Sequence, residues 1–294
     1  MGGAALKDGA MKGFNAHISA AQAISLPGAY LALRAGAHTI GYFPPAQLPL
    51  LLRAGCEETA DGALWRDPGG LAELGRVLAG LGAFSLRDEE FDVRGDRDGV
   101  AIGSVIGQID RGALPYLGIA ACGVHVNGLV RKAGGLFLWV AKRAADKKLD
   151  PGKLDHLIAG GIGAGFSVRE TLIKEAGEEA GVPPAFAATA RFGSAITYQI
   201  ARDEGLRRDV LFCYDIEVDE DFIPRPMDGE VESFALWPIE RVMETVAAGD
   251  EYKFNVNLVL IDLFVRLGLV PLADLPGYPH LLIPRALCTE ALIG

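Results

Sequence analysis

Between Gly163 and Pro183 the chain reads GAGFSVRETLIKEAGEEAGVP, with Glu170, Glu175, Glu178 and Glu179 crowded together. If the stretch is helical, Glu175, Glu178 and Glu179 stand at i, i+3 and i+4 on one flank, where like charges cost roughly 0.2–0.5 kcal/mol per pair. A hard divalent cation such as Mg²⁺ or Mn²⁺, which prefers oxygen donors, would convert that repulsion into coordination. A solvated acidic face on a surface helix is the plainer alternative.

The elements that must position these acids are legible around them. Ser167 and Glu170 stand in the S-x-x-E relation of a capping box, which starts a helix. Val168, Leu172, Ala176 and Ala180 recur every four residues as one apolar stripe, and Gly181 followed by Pro183 and Pro184 supplies the stop. Ahead of the helix, Gly160, Gly161, Gly163 and Gly165 suit tight backbone turns. They do not complete G-x-G-x-x-G, because Phe166 breaks it, and no G-K-[ST] follows, so dinucleotide-binding and P-loop readings fail. Among nearby cations Arg143 is the candidate contact for substrate phosphate. His156 reads as a packed strand residue.

Over the whole chain, 294 residues suggest about two domains with sizeable cores. The formal charge of −10 argues against nonspecific nucleic-acid or anionic-membrane binding, either of which needs a basic surface. Cys56, Cys122, Cys213 and Cys288 are far apart and form no C-x-x-C pair, which points to reduced thiols in a cytoplasmic protein. The N-terminus, with Lys7, Asp8 and Lys12 among glycines, lacks the apolar core of a signal peptide. The longest greasy stretch, 256–270, is interrupted by Asn257, Asp262 and Arg266 and reads as a buried helix.

A small α+β domain is expected over 1–115, with two strands about Gly36 between Tyr30 and Phe43 and a helix over Pro45–Arg53. Another helix opens at Asp67-Pro68 and places Leu71, Leu74, Val77, Leu78 and Leu81 on one face. The run Arg87–Asp98, nine of whose twelve residues are charged, reads as a solvated connection, and Val100–Ile106 as a strand. From 116 to 294 a second domain is expected. It holds a hairpin at Ala133-Gly134-Gly135, a short strand over Leu154–Ala159 and the acidic helix. Strands over Ala188–Arg202, Asp209–Val218 and Glu230–Trp237 follow, then helices over Ile239–Ala248 and Asn255–Leu267. The irregular mixture predicts an α+β sandwich around a mixed sheet.

The stretch Gly160–Val182 resembles the box of the Nudix hydrolase superfamily, whose pattern is Gly, five residues, Glu, seven residues, Arg-Glu, apolar, any, Glu-Glu, any, Gly, apolar. Seven of nine specified positions agree: Gly160, Glu175, Ala176, Glu178, Glu179, Gly181 and Val182. Phe166 replaces the first Glu and Lys174 the Arg. The resemblance implies an α/β/α sandwich and hydrolysis of a diphosphate with Mg²⁺ or Mn²⁺. Glu175 and Glu179 would be the principal ligands, Glu178 would ligate or serve nearby, and a distal acid would come from Glu230, with Asp228 and Glu232 as rivals. In the family the Arg at the Lys174 position braces the catalytic glutamate; Lys174, lacking the planar fork, is expected to pair with Glu170 or Glu178 at i±4 instead, which weakens that brace. Gly160, Gly161 and Arg143 would face substrate.

The extra N-terminal domain and the segment Lys147–Gly163 are similar to a subgroup that includes fungal and plant enzymes acting on damaged thiamine diphosphate. That implies oxidised thiamine diphosphate as substrate, cleaved to the monophosphate. A nucleoside diphosphate derivative such as ADP-ribose or a dinucleotide, and a non-catalytic ligand-binding module, stay open. A ring pocket would draw on Phe192, Tyr198, Phe212, Tyr214 and Trp237, and the N-terminal domain would either complete that pocket or mediate a homodimer.

Overall fold

The computed structural model describes residues 8–96 and 100–293. The expectation resting on Lys7, and the end of the charged run at Arg97 and Asp98, lie outside them. A first helix, α1 (Asp8–Ala21), precedes a hairpin of β1 (Leu31–Ala35) and β2 (His38–Phe43) that turns at Gly36, whose φ is +54°. Then come α2 (Leu48–Arg53), β3 (Glu57–Thr59) and β4 (Gly62–Trp65), giving a four-stranded sheet in the order β2-β1-β4-β3. The Asp67 carboxylate accepts from Gly69 N at 3.0 Å and opens the turn into α3 (Leu71–Gly80), which buries Leu71, Leu74 and Leu78.

The charged run is not merely a connection. β5 (Glu90–Arg94) lies inside it and pairs antiparallel with β6 (Val105–Asp110), later than the strand expected over 100–106. The reason is alternation: Phe91 and Val93 are buried on one face, while Glu90, Asp92 and Arg94 alternate onto the other. A short helix, α4 (Ala113–Leu117), ends at Gly118 in the left-handed region and closes a core that includes Leu33, Phe43, Leu74, Phe91 and Ile109.

The second unit begins with β7 (Ala120–Lys132) and β8 (Gly135–Arg143), the expected hairpin. The single strand expected over 154–159 is two short pieces, β9 (Leu154–Asp155) on β8 and β10 (Ile158–Gly161) on β7, because the chain crosses from one partner strand to the other between them. The acidic helix α5 (Val168–Ala180), α6 (Pro184–Ala187), β11 (Arg191–Arg202), β12 (Gly205–Glu217) and β13 (Val231–Pro238) follow, and then α7 (Ile239–Ala248) and α8 (Phe254–Arg266). The sheet runs β11-β12-β7-β8-β13 and is mixed, with β12 parallel to β7 and the other neighbours in that order antiparallel.

Helices cover both faces. The stripe Val168, Leu172, Ala176 and Ala180 of α5 packs with Val124, Val126 and Phe212 on one. On the other, α7 and α8 pack with Leu129, Leu138 and Leu211, giving the expected α/β/α sandwich. The interruptions in the greasy stretch also find a place. The buried Asp262 accepts from Arg266 Nε at 2.7 Å and from Tyr278 Oη at 2.8 Å, while Arg266 also bonds Asp215 on β12. No helix among the described residues is long and apolar enough to cross a membrane.

Although α1 precedes the first hairpin, it packs with α7 and α8. Phe14, Ile18 and Ala21 join the core around α7 and α8, with the Phe14 and Phe264 ring centroids 5.7 Å apart. Gly13 permits the approach: a Cβ there would lie 2.0 Å from the Ala247 carbonyl oxygen. We therefore expect Phe14→Ala to destabilise the sandwich by about 3–5 kcal/mol, read as a lower urea-unfolding midpoint. An unchanged midpoint would mean that α1 is not part of that core.

Candidate functional site

The acidic helix is fixed at both ends by its own sequence. Ser167 Oγ accepts from Glu170 N at 3.1 Å, and Glu170 Oε2 accepts from Ser167 N at 2.8 Å, the reciprocal bonds of a capping box. At the far end Gly181 takes φ +64° and Val182 N donates to Ala176 O at 2.9 Å. With the apolar stripe against the sheet, the rotation of the remaining side chains is set.

That rotation separates the acids. Glu179 is buried and its Oε2 accepts from Ala159 N on β10 at 2.7 Å. Glu175 is mostly covered and rests on Gly160, where an added Cβ would come within 2.5 Å of the Glu175 carboxyl carbon. Glu178 is half exposed and pairs with Lys174 Nζ at 2.6 Å, while the same ammonium reaches Glu175 Oε1 at 3.3 Å. Lys174 thus bridges Glu178, as expected from the i+4 spacing, and also Glu175. Phe166 is 46 % exposed and contributes no oxygen donor.

Burial pushes the carboxyl of Glu179 well above the usual range, assisted by the nearby charges of Asp155, Glu175 and Glu230 and opposed by the Ala159 N–H. Glu175 is raised too, by burial first, against the pull of Lys174. Glu230, just before β13, lines the same small cavity as Glu179, Asp155, Arg143 and His156, and its carboxylate is paired with Lys147. Its rivals are engaged elsewhere: Asp228 accepts from Glu230 N at 2.8 Å in a turn, and Glu232 pairs with Lys142 at 2.9 Å. Among the described residues, no group of three or more His, Cys, Asp or Glu side chains converges as a ready metal cluster. The donor set itself is all oxygen, and its members raise one another's proton affinity, which is the chemistry a hard cation relieves.

Several expectations change. Gly160 and Gly161 lie within β10 and serve close approach, while Gly165, with φ +80°, makes the turn. Arg143 bonds Asp155 Oδ2 at 2.7 Å and the carbonyls of Asp150 and Leu149 at 3.1 and 2.8 Å, so in the structure it props the cavity wall. Tyr198, Phe212 and Tyr214 are core residues; Trp237 lies under Arg241 and Phe192 under Arg285. Asp155 and His125 are not among the residues that the sequence singles out, and His156 is expected in a strand. His156 instead sits between β9 and β10, buried edge-to-face against His125 at 5.0 Å. Only the adjacency of Asp155-His156 to the glycines signalled this layer.

This layer carries a pH signature. Burial holds His156 down to about 4 from the ordinary 6.5, and His125 also falls well below it. The unfolded chain therefore binds protons that the folded one refuses. Stability is full above about pH 6.5 and declines as pH falls toward 4. Asp155, whose burial alone would raise it, is held down to about 2 from 3.8 by Lys253 and Arg143, which adds a second loss at lower pH. We expect His156→Gln to flatten part of the upper decline in urea-unfolding free energies and to leave the lower one in place. Parallel profiles for wild type and variant would contradict a neutral buried imidazole.

The family model described as the NUDIX domain matches residues 123–257. Nudix hydrolase 24, chloroplastic, of Arabidopsis thaliana is 40% identical over 209 residues, 71% of this chain and 56% of that protein. Nudix hydrolase 20, chloroplastic, of the same plant is 44% identical over 162 residues, 55% of this chain and 43% of that one. The chain spans about half the length of these curated relatives. A solved structure of DR0079 from Deinococcus radiodurans is 22% identical, with a TM-score of 0.43, and covers 58% of this chain and 97% of that one. Residues 123–257 of the chain are thus a Nudix domain, with the box on α5 inside it.

Proposed function

We propose that the chain hydrolyses the diphosphate linkage of a small organic diphosphate with Mg²⁺ or Mn²⁺. The observation that supports this most directly is that Glu179 of α5 and Glu230, just before β13, line one small cavity, while Glu175 on the same helix and Glu230 both raise the proton affinity of Glu179. Glu175, Glu179 and Glu230 would hold the ion, with Glu178 beside them. Such an ion, when bound, offsets the charge of the diphosphate and lowers the pKa of a water. The chain's own groups do the rest. Ala159 N–H fixes one oxygen of Glu179, Lys174 restrains Glu175 and Glu178, and Arg143 with Asp155 braces the wall of the cavity that Glu179 lines.

For the substrate we favour oxidised thiamine diphosphate, cleaved to the monophosphate, on the similarity of the N-terminal unit and the Lys147–Gly163 segment to that subgroup. Nucleoside diphosphate derivatives, ADP-ribose or a dinucleotide, are the alternative. A ligand-binding module without turnover is the second reading, and the exposed Phe166 in place of a carboxylate favours it. A homodimer and a reducing, cytoplasmic setting belong to the same proposal. The four described cysteines are free, while the two plant relatives are chloroplastic by name.

A panel of thiamine, adenosine and dinucleotide diphosphates assayed with Mg²⁺ and Mn²⁺ tests the reading. We expect turnover, read as phosphate from the thiamine diphosphates or as nucleoside monophosphate from ADP-ribose and dinucleotides, that EDTA abolishes and that Glu179→Gln lowers by about 10²-fold or more. Melting shifts with ligand but no turnover across the panel would select the non-catalytic module.

A further inference from the structure

Adjacent glycines on a strand face opposite sides, and Gly160 and Gly161 use that alternation for two different partners. At Gly160 the absent side chain admits Glu175; at Gly161 an added Cβ would lie 2.7 Å from the ring of Phe91, a residue of β5 in the first unit. Phe91 is 2 % exposed. The seam continues along the backbone: Phe91 forms an antiparallel bridge with Gly163, Ala164 N donates to Glu90 O at 2.8 Å, and Gly165 N donates to Asp92 Oδ2 at 3.3 Å. The hairpin β5–β6 thus extends β10 beyond its pairing with β7, along a glycine-rich segment whose backbone is otherwise costly to order.

We propose that Phe91 is a positioning residue for Glu175 and Glu179, acting through β10, and that the N-terminal unit is thereby a working part of the site. The inference rests on the reading that these two carboxylates carry the chemistry. Phe91 backs one face of β10; the other face carries the contact with Glu175, and the same strand's Ala159 N–H holds Glu179. Removing the ring lets the strand retreat from both acids. A displacement near 1 Å at a reacting centre costs on the order of 10²-fold in rate. Asp92 contributes at the outer end by fixing Gly165, two residues before the cap of α5.

The test compares the full chain with Phe91→Ala, Phe91→Leu and Asp92→Ala, by amide hydrogen exchange and by steady-state kinetics with Mn²⁺. In Phe91→Ala, the amides of Ala159, Ala164 and Gly165 should exchange at least about tenfold faster while those of Val130 and Val140 keep their protection. The kcat should fall about tenfold or more with KM within about twofold, and Phe91→Leu should recover most of it. Should Phe91→Ala fail to fold, Asp92→Ala carries the same comparison, with faster exchange at Gly165 and a fall in kcat of about threefold. Unchanged exchange at these amides, or a kcat within twofold of wild type, would overturn the proposal. If wild type turns over no diphosphate at all, the reading under Proposed function fails, while the exchange comparison still decides whether Phe91 holds β10.

Discussion

A carboxylate taken out of water must find compensation, and among the described residues Glu179 finds one N–H, that of Ala159. Everything near the cleft is arranged around that shortfall. Three neighbouring acids deepen it, the single bond from Ala159 limits it, and the cations close by are spent on other partners: Arg143 on Asp155, Lys147 on Glu230 and Lys174 on Glu178 and Glu175. The contrast with Asp262 is instructive. That acid is as deeply buried, yet Arg266 and Tyr278 satisfy both its oxygens, so it behaves as a structural tie between α8 and the sheet. Burial with satisfied partners builds a fold; burial without them stores affinity for a positive ligand.

Much of this arrangement was legible in residue order. The capping box, the four-residue stripe and the Gly181 stop determine the rotation of α5, and with it which acids face the sheet and which face solvent. The hairpin about Ala133-Gly134-Gly135 and the long strands β11 and β12 were legible for a related reason: extended apolar alternation leaves few options. What sequence order did not disclose is long-range. The strand character of β5 was masked by its charges, because only two inward positions, Phe91 and Val93, needed to be apolar. Arg143 read as a phosphate contact because its partner, Asp155, is twelve residues away and becomes its neighbour only when β9 docks on β8. The His125–His156 pair was hidden for the same reason, one member lying on β7 and the other in the link between β9 and β10.

The glycines teach a related lesson. A run of them suggests turns, yet two of the four near α5 sit in a regular strand, where the absent Cβ is needed for contact and not for conformation. Gly160 and Gly161 make β10 thin enough to lie between a helix carboxylate on one side and an aromatic ring on the other. In this chain the strand is therefore the shared wall of two units.

The docking of α1 on α7 and α8 bears on how the molecule is made. Asn15 donates to the carbonyl of Asp274, 259 positions later, and Gln22 to that of Gly277, so α1 completes its packing only once the segment around 274–277 has emerged. Contacts so far apart in sequence slow assembly, since a long loop must close before any of them forms. During synthesis the apolar face of α1 stands uncovered while the first unit, whose core draws on residues 33 to 119, has all it needs to collapse. The first unit can thus collapse before α1 is seated on α7 and α8.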